Sequence, residues 1–129
     1  MRKVQSRFGV GTFQQKILVG GLSLLADTES SRGGADTGPS PHEYLAVALA
    51  SCTSMTLKMY AEHKSWNLED AIVTVDIMRE NNIEQFSRHI ELLGKIDDAQ
   101  KQRLLEIANK CPMHLALSGE IQIKTQLVN

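Results

Sequence analysis

The feature that most constrains the fold is a long apolar segment in the middle of the chain, SPHEYLAVALASCTSMTL, which begins at residue 40. Ser40 can cap a helix, Pro41 suits the first helical position, and Glu43 completes a capping box. Residues 45–50 leave no polar face, and a helix that is apolar all round is usually buried. The pattern therefore predicts a long helix at the centre of the fold.

The size of the chain limits what can cover such a helix. A length of 129 residues is that of one ordinary domain, so we expect a single domain over residues 1–129. Because so few other elements are available, a second copy of the chain is the simplest cover, and we expect an obligate homodimer. The serines, threonines and Lys58 that interrupt the apolar segment argue against a membrane-spanning helix.

Short runs with alternating apolar residues flank the central helix on both sides. The predicted strands cover residues 3–8, 13–19, 22–26, 73–77, 86–92 and 121–127. A polar, glycine-rich loop, DTESSRGGADTGPS, precedes the helix, and Glu80-Asn81-Asn82 suits a hairpin turn. Asp97 caps a second helix, and Pro112 begins a third, short one. The order βββ-α-ββ-αα-β predicts an α+β fold with antiparallel strands.

The balance of charge excludes some partners. The chain has 14 Lys and Arg against 15 Asp and Glu, so no basic surface indicates a nucleic-acid partner. Met1 is followed by Arg2, Lys3 and a polar stretch, so we predict no signal peptide. We expect a cytoplasmic protein, in which a structural disulfide is unusual and a transient one is functional.

The chain has two cysteines, Cys52 in the central helix and Cys111 at a junction between helices. Cys52 lies about three turns inside the helix, beyond the reach of the helix dipole, so a reactive Cys52 needs a nearby cation or several donors. Without them it is an inert core cysteine. Cys111 lies where a break in the backbone creates a crevice, or else it is a helix-end cysteine without a role.

Other polar residues offer further candidates. Arg88 shares a strand face with apolar residues, so its stem can be buried and its guanidinium can reach either a partner or solvent. The segment CPMH also suggests a metal site formed by Cys52, Cys111 and His114, although zinc is usually bound by closely spaced pairs. His63 and His89 are predicted to lie on the surface.

These residues together resemble the OsmC/Ohr family of peroxide-defence proteins. The resemblance rests on the loop GGADTGPSP, the helix EYLAVALASCTSMTLKMYAEHK, the run RLLEIANKCPMHLAL and the strand pair between the last two. It implies an OsmC-like fold, in which antiparallel strands wrap a long buried central helix in an intertwined homodimer. It also places two active sites at the interface between the subunits.

The resemblance implies thiol-dependent reduction of organic hydroperoxides, in oxidative or osmotic stress defence, without a metal or organic cofactor. Cys52 would form the sulfenic acid as the peroxidatic cysteine, and Cys111 would resolve it to a disulfide. A dithiol or lipoyl group would then reduce the disulfide. No nucleic acid or membrane is expected among the partners.

The resemblance also implies supporting residues for the peroxidatic cysteine. The family pattern has a Pro-Glu pair early in the central helix, whose Glu orients a catalytic arginine from an early strand or its adjoining loop. In this chain Pro41 is followed by His42, with Glu43 next, and Arg32 lies in the preceding loop. Glu43, His42 and Arg32 are therefore the expected supporting residues.

Two other functions stay open from the sequence. One is a non-catalytic dimer that binds a small apolar or thiol ligand between its central helices. The other is a metal-binding thiol protein. Peroxide-dependent disulfide formation separates the first from a peroxidase, and metal analysis of protein purified without chelators tests the second.

Overall fold

The fold is seen in a computed structural model that describes all 129 residues. Its elements are β1 (Val4–Phe8), β2 (Gln15–Val19), β3 (Leu22–Ala26), a 3-10 turn (Ser30–Arg32), α1 (Pro41–His63), β4 (Asn67–Glu80), β5 (Ile83–Lys95), α2 (Asp98–Ala108) and α3 (Pro112–Ser118). All strand pairs are antiparallel, which confirms the predicted α+β class. None of the helices combines the length and apolar character needed to cross a membrane.

Two compact units make up the chain, residues 1–46 and residues 47–129, and the boundary between them falls inside α1. In the first unit, β1, β2 and β3 form a three-stranded antiparallel sheet in that order. Val4 pairs with Val19, and Gln15 pairs with Ala26. These strands begin and end within two residues of the predicted positions, because each lies between turn residues that end it.

The polar loop after β3 is organised by Asp27, whose residue surface is only 4% exposed. Its carboxylate accepts hydrogen bonds from the backbone N–H of Thr28 at 2.7 Å and of Thr37 at 3.1 Å, and from the Thr37 hydroxyl at 2.5 Å. Gly38 lies so close to β3 that a Cβ there would be 2.7 Å from the carbonyl oxygen of Leu25. Compositional reasoning indicated a loop without a core, and the structure shows a loop ordered around one buried carboxylate.

Helix α1 begins as predicted. The Ser40 side chain accepts from the backbone N–H of Glu43 at 3.2 Å, and the Glu43 carboxylate accepts from the backbone N–H of Ser40 at 2.8 Å. Its buried residues are spaced by four along one stripe: Leu49, Thr53, Leu57 and Ala61. Apolar side chains on its other faces, Val47, Met55 and Met59 among them, are exposed. Burial on all sides is therefore not achieved within one chain.

The second unit contains a long hairpin of β4 and β5. Its turn residues Asn81 and Asn82 have φ angles of 53° and 62°, the left-handed conformation that the tightest hairpin turns require. Ile77 pairs with Phe86, and Val75 pairs with Arg88, so these four side chains point to the same half-buried face. The predicted strand faces and the turn are confirmed, although both strands are longer than expected.

The core of the second unit forms where α2 packs against α1 and this hairpin. Leu57, Leu104, Ile107 and Ala108 are buried there, and the partly buried residues around them are Tyr60, Trp66, Leu68, Ala71, Ile90, Leu92 and Ile96. Asp97 caps α2 with a reciprocal capping box to Gln100, which confirms its predicted role. This core holds the ends of α1, β5 and α2 in place.

The end of the chain differs from the prediction. Helix α3 begins at Pro112 as expected, but no strand follows it, and the predicted strand at residues 121–127 is wrong for the single chain. Ile121, Ile123 and Leu127 are exposed. The reason is physical: alternation supplies an apolar face, but a strand also needs a neighbouring backbone for its N–H and C=O groups. In this structure the segment pairs with no strand.

Candidate active site

The fold brings the two cysteines together. Cys52 is contributed by α1, and Cys111 lies directly before α3, where it is the N-cap residue. Cys52 lies close enough to Cys111 to help lower the pKa of the Cys111 thiol, and both cysteines are free thiols. Cys52 is half-buried, whereas Cys111 has no exposed surface. The structure thus forms a dithiol with one accessible sulfur and one enclosed sulfur.

Local structure explains the position of Cys111. Pro112 cannot continue α2 and suits the first turn of α3, so the chain turns at this residue. The Cys111 sulfur then accepts a hydrogen bond from the backbone N–H of His114 at 3.2 Å. The Thr53 hydroxyl oxygen, from the buried stripe of α1, lies 3.7 Å from the same sulfur. Polar groups from two helices therefore converge on the Cys111 sulfur.

Arg88 extends from β5 into this group. Its Nη1 donates to the Thr53 hydroxyl oxygen at 3.0 Å and to the Ala108 carbonyl oxygen at 3.2 Å. Its Nη2 donates to Asn109 Oδ1 at 2.9 Å and lies 3.0 Å from His114 Nδ1. A guanidinium has no acceptor, so His114 Nδ1 must accept, and the proton of a neutral His114 ring is on Nε2. Four acceptors fix the plane of the guanidinium.

These contacts change the acidity of Cys111. Its burial raises the pKa of the thiol, and four interactions oppose that effect. They are the hydrogen bonds from the His114 backbone, the Thr53 hydroxyl and the Cys52 thiol, together with the positive charge of Arg88. The net result is a Cys111 pKa below the usual cysteine value. Because the thiolate is the reactive form of cysteine, the site has the electrostatics of a redox or nucleophilic centre.

A surface cleft of about 250 Å³ lies beside this group. Leu49, Phe86 and Leu117 give it apolar walls, and Glu84, Arg88, His114 and Ser118 supply its polar groups. A cleft that combines apolar walls with polar groups suits a small organic ligand.

The three predicted supporting residues all lie in residues 1–46. Glu43 is engaged in the capping box of α1, and His42 is the second residue of that helix. Arg32 ends the 3-10 turn and lines a cavity with Phe13 and Asp27 in the first unit. Their supporting roles in the reaction stay predictions.

The metal hypothesis receives no support from the same geometry. Cys52, Cys111 and His114 do not form a group suited to hold a metal ion. The Nδ1 lone pair of His114 is already occupied by an N–H of Arg88. The positive charge of Arg88 at this nitrogen would oppose the binding of a metal cation.

Sequence reasoning did not identify Thr53, Asn109 and His114 as neighbours of Arg88. Two signals were present. Arg88 lies between the apolar residues Phe86 and Ile90 on the inward face of its strand, and Thr53 is the one polar residue in the buried stripe of α1. A polar residue at a buried position needs a hydrogen-bond partner, and these two are partners of each other. Asn109 lies just after α2, where no pattern distinguishes it.

The comparisons with known proteins agree with this fold. The model of the family described as OsmC-like protein matches residues 33–126. An OsmC-like protein from Mycoplasma pneumoniae is 16% identical with a TM-score of 0.79, over 92% of this chain and 88% of that one. A comparison with curated protein sequences finds no match.

Two further solved structures are also similar. The organic hydroperoxide resistance protein OhrB of Bacillus subtilis is 22% identical with a TM-score of 0.60, over 96% of this chain and 95% of that one. A Vibrio cholerae structure with captopril bound in one of its active sites is 23% identical with a TM-score of 0.65, over 91% and 85% of the two chains. At these identities the structures establish the fold, and the family model covers most of the chain. The chain belongs to the OsmC-like protein family.

Proposed function

We propose that this protein reduces organic hydroperoxides with its Cys52–Cys111 dithiol, in oxidative or osmotic stress defence in the cytoplasm. The close approach of the two thiols carries the proposal, because a peroxidatic and a resolving cysteine must meet. The similarity to the organic hydroperoxide resistance protein of Bacillus subtilis supports organic hydroperoxides as the substrate class. Cys52 is the sulfur that meets the peroxide, since Cys111 has no exposed surface.

The reaction balances with these two sulfurs and one peroxide. The Cys52 sulfur attacks the terminal oxygen of the hydroperoxide, the O–O bond breaks, and an alkoxide leaves and is protonated to the alcohol. Cys52 is thereby oxidised by two electrons to a sulfenic acid, and the peroxide is reduced. Cys111 then attacks the sulfenic sulfur, the S–S bond forms, and the hydroxyl group leaves as water. A dithiol or a dihydrolipoyl group restores both thiols by exchange and is itself oxidised to a disulfide.

The cleft next to the dithiol supports an organic substrate. Its walls of Leu49, Phe86 and Leu117 can hold the alkyl part of a hydroperoxide, and burial of that part adds affinity in proportion to its apolar area. Hydrogen peroxide has no such part. We therefore expect a higher kcat/KM for alkyl hydroperoxides than for hydrogen peroxide.

The exposed apolar surface supports the homodimer in the proposal. Val47, Met55 and Met59 of α1 are exposed in the single chain, as are the alternating residues Ile121 and Ile123 near the end. Many large apolar residues exposed in this way are typical of a protein that buries them in an interface. A second copy would cover the helix, and its strands could pair with the last segment. Light scattering after size-exclusion chromatography tests this, and a stable monomer at micromolar concentration contradicts it.

The decisive experiment for the function is mass spectrometry of intact, reduced protein after brief treatment with tert-butyl hydroperoxide. The expected result is the loss of two hydrogens per chain. In Cys111→Ser we expect the gain of one oxygen at Cys52 instead, and in Cys52→Ser we expect neither change. Ser51→Ala is the matched control, because Ser51 is the exposed neighbour of Cys52 on the same helix. Peroxide consumption that survives Cys52→Ser overturns the proposal.

A second candidate function has one observation in its favour. Captopril, which carries a thiol, occupies an active site of the similar Vibrio cholerae structure. A dimer that binds a thiol ligand without turnover would retain captopril in native mass spectrometry and would form no disulfide with peroxide. Turnover of tert-butyl hydroperoxide with dithiothreitol excludes this alternative.

A further inference from the structure

The accessible sulfur and the charge-stabilised sulfur of the dithiol are not the same atom. Cys52 is half-buried, whereas the His114 N–H and the Thr53 hydroxyl surround the enclosed sulfur of Cys111, close to the charge of Arg88. We propose that Arg88 is a positioning residue that maintains Cys111 as the thiolate of the reduced pair, and that this enclosed thiolate is the base that activates Cys52. The role of Cys111 as a base rests on the proposed function, whereas its role as the site of the negative charge does not.

The contacts of Arg88 support the first part of the proposal. Its four acceptors are a hydroxyl, a carbonyl, a carboxamide and an imidazole, and none of them carries a negative charge. Arg88 is half-buried, and a guanidinium that loses part of its hydration is more stable beside a negative charge. The one carboxylate that lines its cleft, Glu84, forms an ion pair with Arg79. Cys111, which feels the positive charge of Arg88, can supply it as a thiolate.

The hydrogen bonds of Thr53 explain how Arg88 affects Cys111 through this residue. The Thr53 oxygen accepts an N–H of Arg88, and its one hydrogen can go either to the Leu49 carbonyl, at 2.6 Å, or to the Cys111 sulfur, at 3.7 Å. A hydroxyl has one donor, so these two bonds exclude each other. When Cys111 is neutral, Thr53 donates to Leu49. When Cys111 is a thiolate, Thr53 turns its hydrogen to the sulfur, while Arg88 holds the oxygen in place.

The second part of the proposal follows from the closeness of the two sulfurs. A thiolate at Cys111 can accept a hydrogen bond from the Cys52 thiol, and the Cys52 side chain is one of the causes that lower the pKa of Cys111. As the Cys52 sulfur attacks the terminal peroxide oxygen, its proton passes to Cys111 and the alkoxide leaves, taking a proton from solvent. Cys111 then attacks the sulfenic sulfur of Cys52, and its proton leaves with the hydroxyl group as water. A nucleophile with an adjacent base is a general arrangement for covalent catalysis.

The experiment is a pH titration of thiolate absorbance in the reduced full-length protein, which needs no peroxide. Wild type and Cys52→Ser, whose hydroxyl can still donate, should both show a thiolate that forms below the usual cysteine range. Cys111→Ser should lose that transition. Arg88→Gln should move it to higher pH, and Arg88→Lys, which retains the charge without the fixed fork, should move it less. Arg103→Gln, a change at an arginine that contacts Tyr60 and Glu106, is the control and should leave it unchanged.

Kinetics complete the test. Arg88→Gln should slow the reaction with tert-butyl hydroperoxide at neutral pH by roughly tenfold or more, with recovery at higher pH and partial rescue in Arg88→Lys. A merely structural role would lower the rate equally at every pH. If Arg88→Gln does not fold, as judged by circular dichroism, Thr53→Val and Thr53→Ser take its place, and only the valine should raise the transition.

The possible outcomes separate the two proposals. A thiolate transition at low pH that disappears in Cys52→Ser and persists in Cys111→Ser overturns the inference. A thiolate transition whose pH is unchanged in both Arg88→Gln and Thr53→Val also overturns it. The expected titration in a protein that never turns over peroxide overturns the hydroperoxide function and the base role together. It still supports Cys111 as the site of the charge.

Discussion

Asp27 in the first unit and Cys111 in the second are enclosed acidic groups whose charged forms are both stabilised by hydrogen-bond donors. The stabilisation has a different consequence at each residue. Both have a lowered pKa, and hydrogen-bond donors lower it in each case. At Asp27 the largest cause is the Thr37 hydroxyl, and the other donors are backbone N–H groups of the same loop. At Cys111 the pKa is lowered by groups from three elements, namely Thr53 and Cys52 of α1, the His114 N–H of α3 and the positive charge of Arg88 on β5, while burial opposes them as it does at Asp27.

The difference shows what separates an anchor from a reactive site. A carboxyl with its ordinary pKa is already charged at neutral pH, so the donors around Asp27 order a loop and do not create the charge. Cys111 is a thiol that is mostly neutral at neutral pH unless its surroundings stabilise the charge. Hydrogen-bond donors therefore only order the chain at Asp27, whereas at Cys111 they can change the protonation state of the thiol. Four predictions test this comparison.

The largest expected effect is on the dithiol itself. Replacing either cysteine by serine should abolish peroxide-dependent disulfide formation within the chain, because one sulfur cannot form the bond. Asp27→Asn should retain the disulfide if the protein folds, because Asp27 belongs to the loop. Non-reducing peptide mapping after peroxide treatment measures both. A disulfide that disappears in Asp27→Asn, with the fold intact, would break the comparison.

The next effect is on stability through Asp27. In Asp27→Asn one carboxylate oxygen becomes an NH₂ group, which faces either the Thr28 N–H or the Thr37 donors, so two donors oppose each other. We expect a lower melting temperature at neutral pH. Because the pKa of Asp27 is lower in the folded state, its contribution is complete above the unfolded value of 3.8 and is lost as pH falls through the folded value. The difference between variant and wild type should therefore shrink in acid.

The matched control for that experiment is Asp36→Asn. Asp36 is exposed in the same loop, with a φ of 54°, and asparagine adopts this conformation readily. The melting temperature of Asp36→Asn should be close to that of wild type at every pH. Equal destabilisation of both variants would mean that loss of loop charge, and not the donors around Asp27, is responsible.

A smaller effect is expected at Thr53. Thr53→Val keeps the shape of the side chain but removes the oxygen that accepts from Arg88, so it should lower the free energy of unfolding by about 1–3 kcal/mol. Thr53→Ser retains the hydroxyl and should lose less. Urea denaturation of both variants measures the difference. If valine and serine are equally stable, the link between Arg88 and Thr53 contributes nothing to the fold.

The smallest effect is a dependence of stability on pH that comes from Cys111. Its pKa in the folded protein lies below the usual value of 9.0, so the unfolded state binds more protons between those two values. Stability should therefore rise with pH across that window, and the gain should be absent in Cys111→Ala. Urea denaturation at several pH values compares the two proteins. A gain of the same size in both would place its origin elsewhere in the chain.

Much of the fold could be predicted from the sequence because its signals are local. The Ser40–Glu43 capping box, the Asp97 cap and the proline at residue 112 satisfy or interrupt backbone hydrogen bonds within a few residues, so short patterns describe them. The positive-φ turn at Asn81 and Asn82 is local in the same sense. The final strand failed because its partner would have to come from elsewhere, and no local pattern supplies one.

By itself, the sequence determined the positions of the helices and hairpins. It also supplied the two cysteines that the family resemblance predicts to act together. Only the tertiary structure decided which sulfur is enclosed and where the charge lies, since Thr53, Arg88 and His114 belong to three different elements. Periodicity assigns a residue to a face, but it does not say which faces meet. The chemistry of Cys111 depends on atoms within 4 Å of its sulfur and on a nearby cation, and packing alone brings them there.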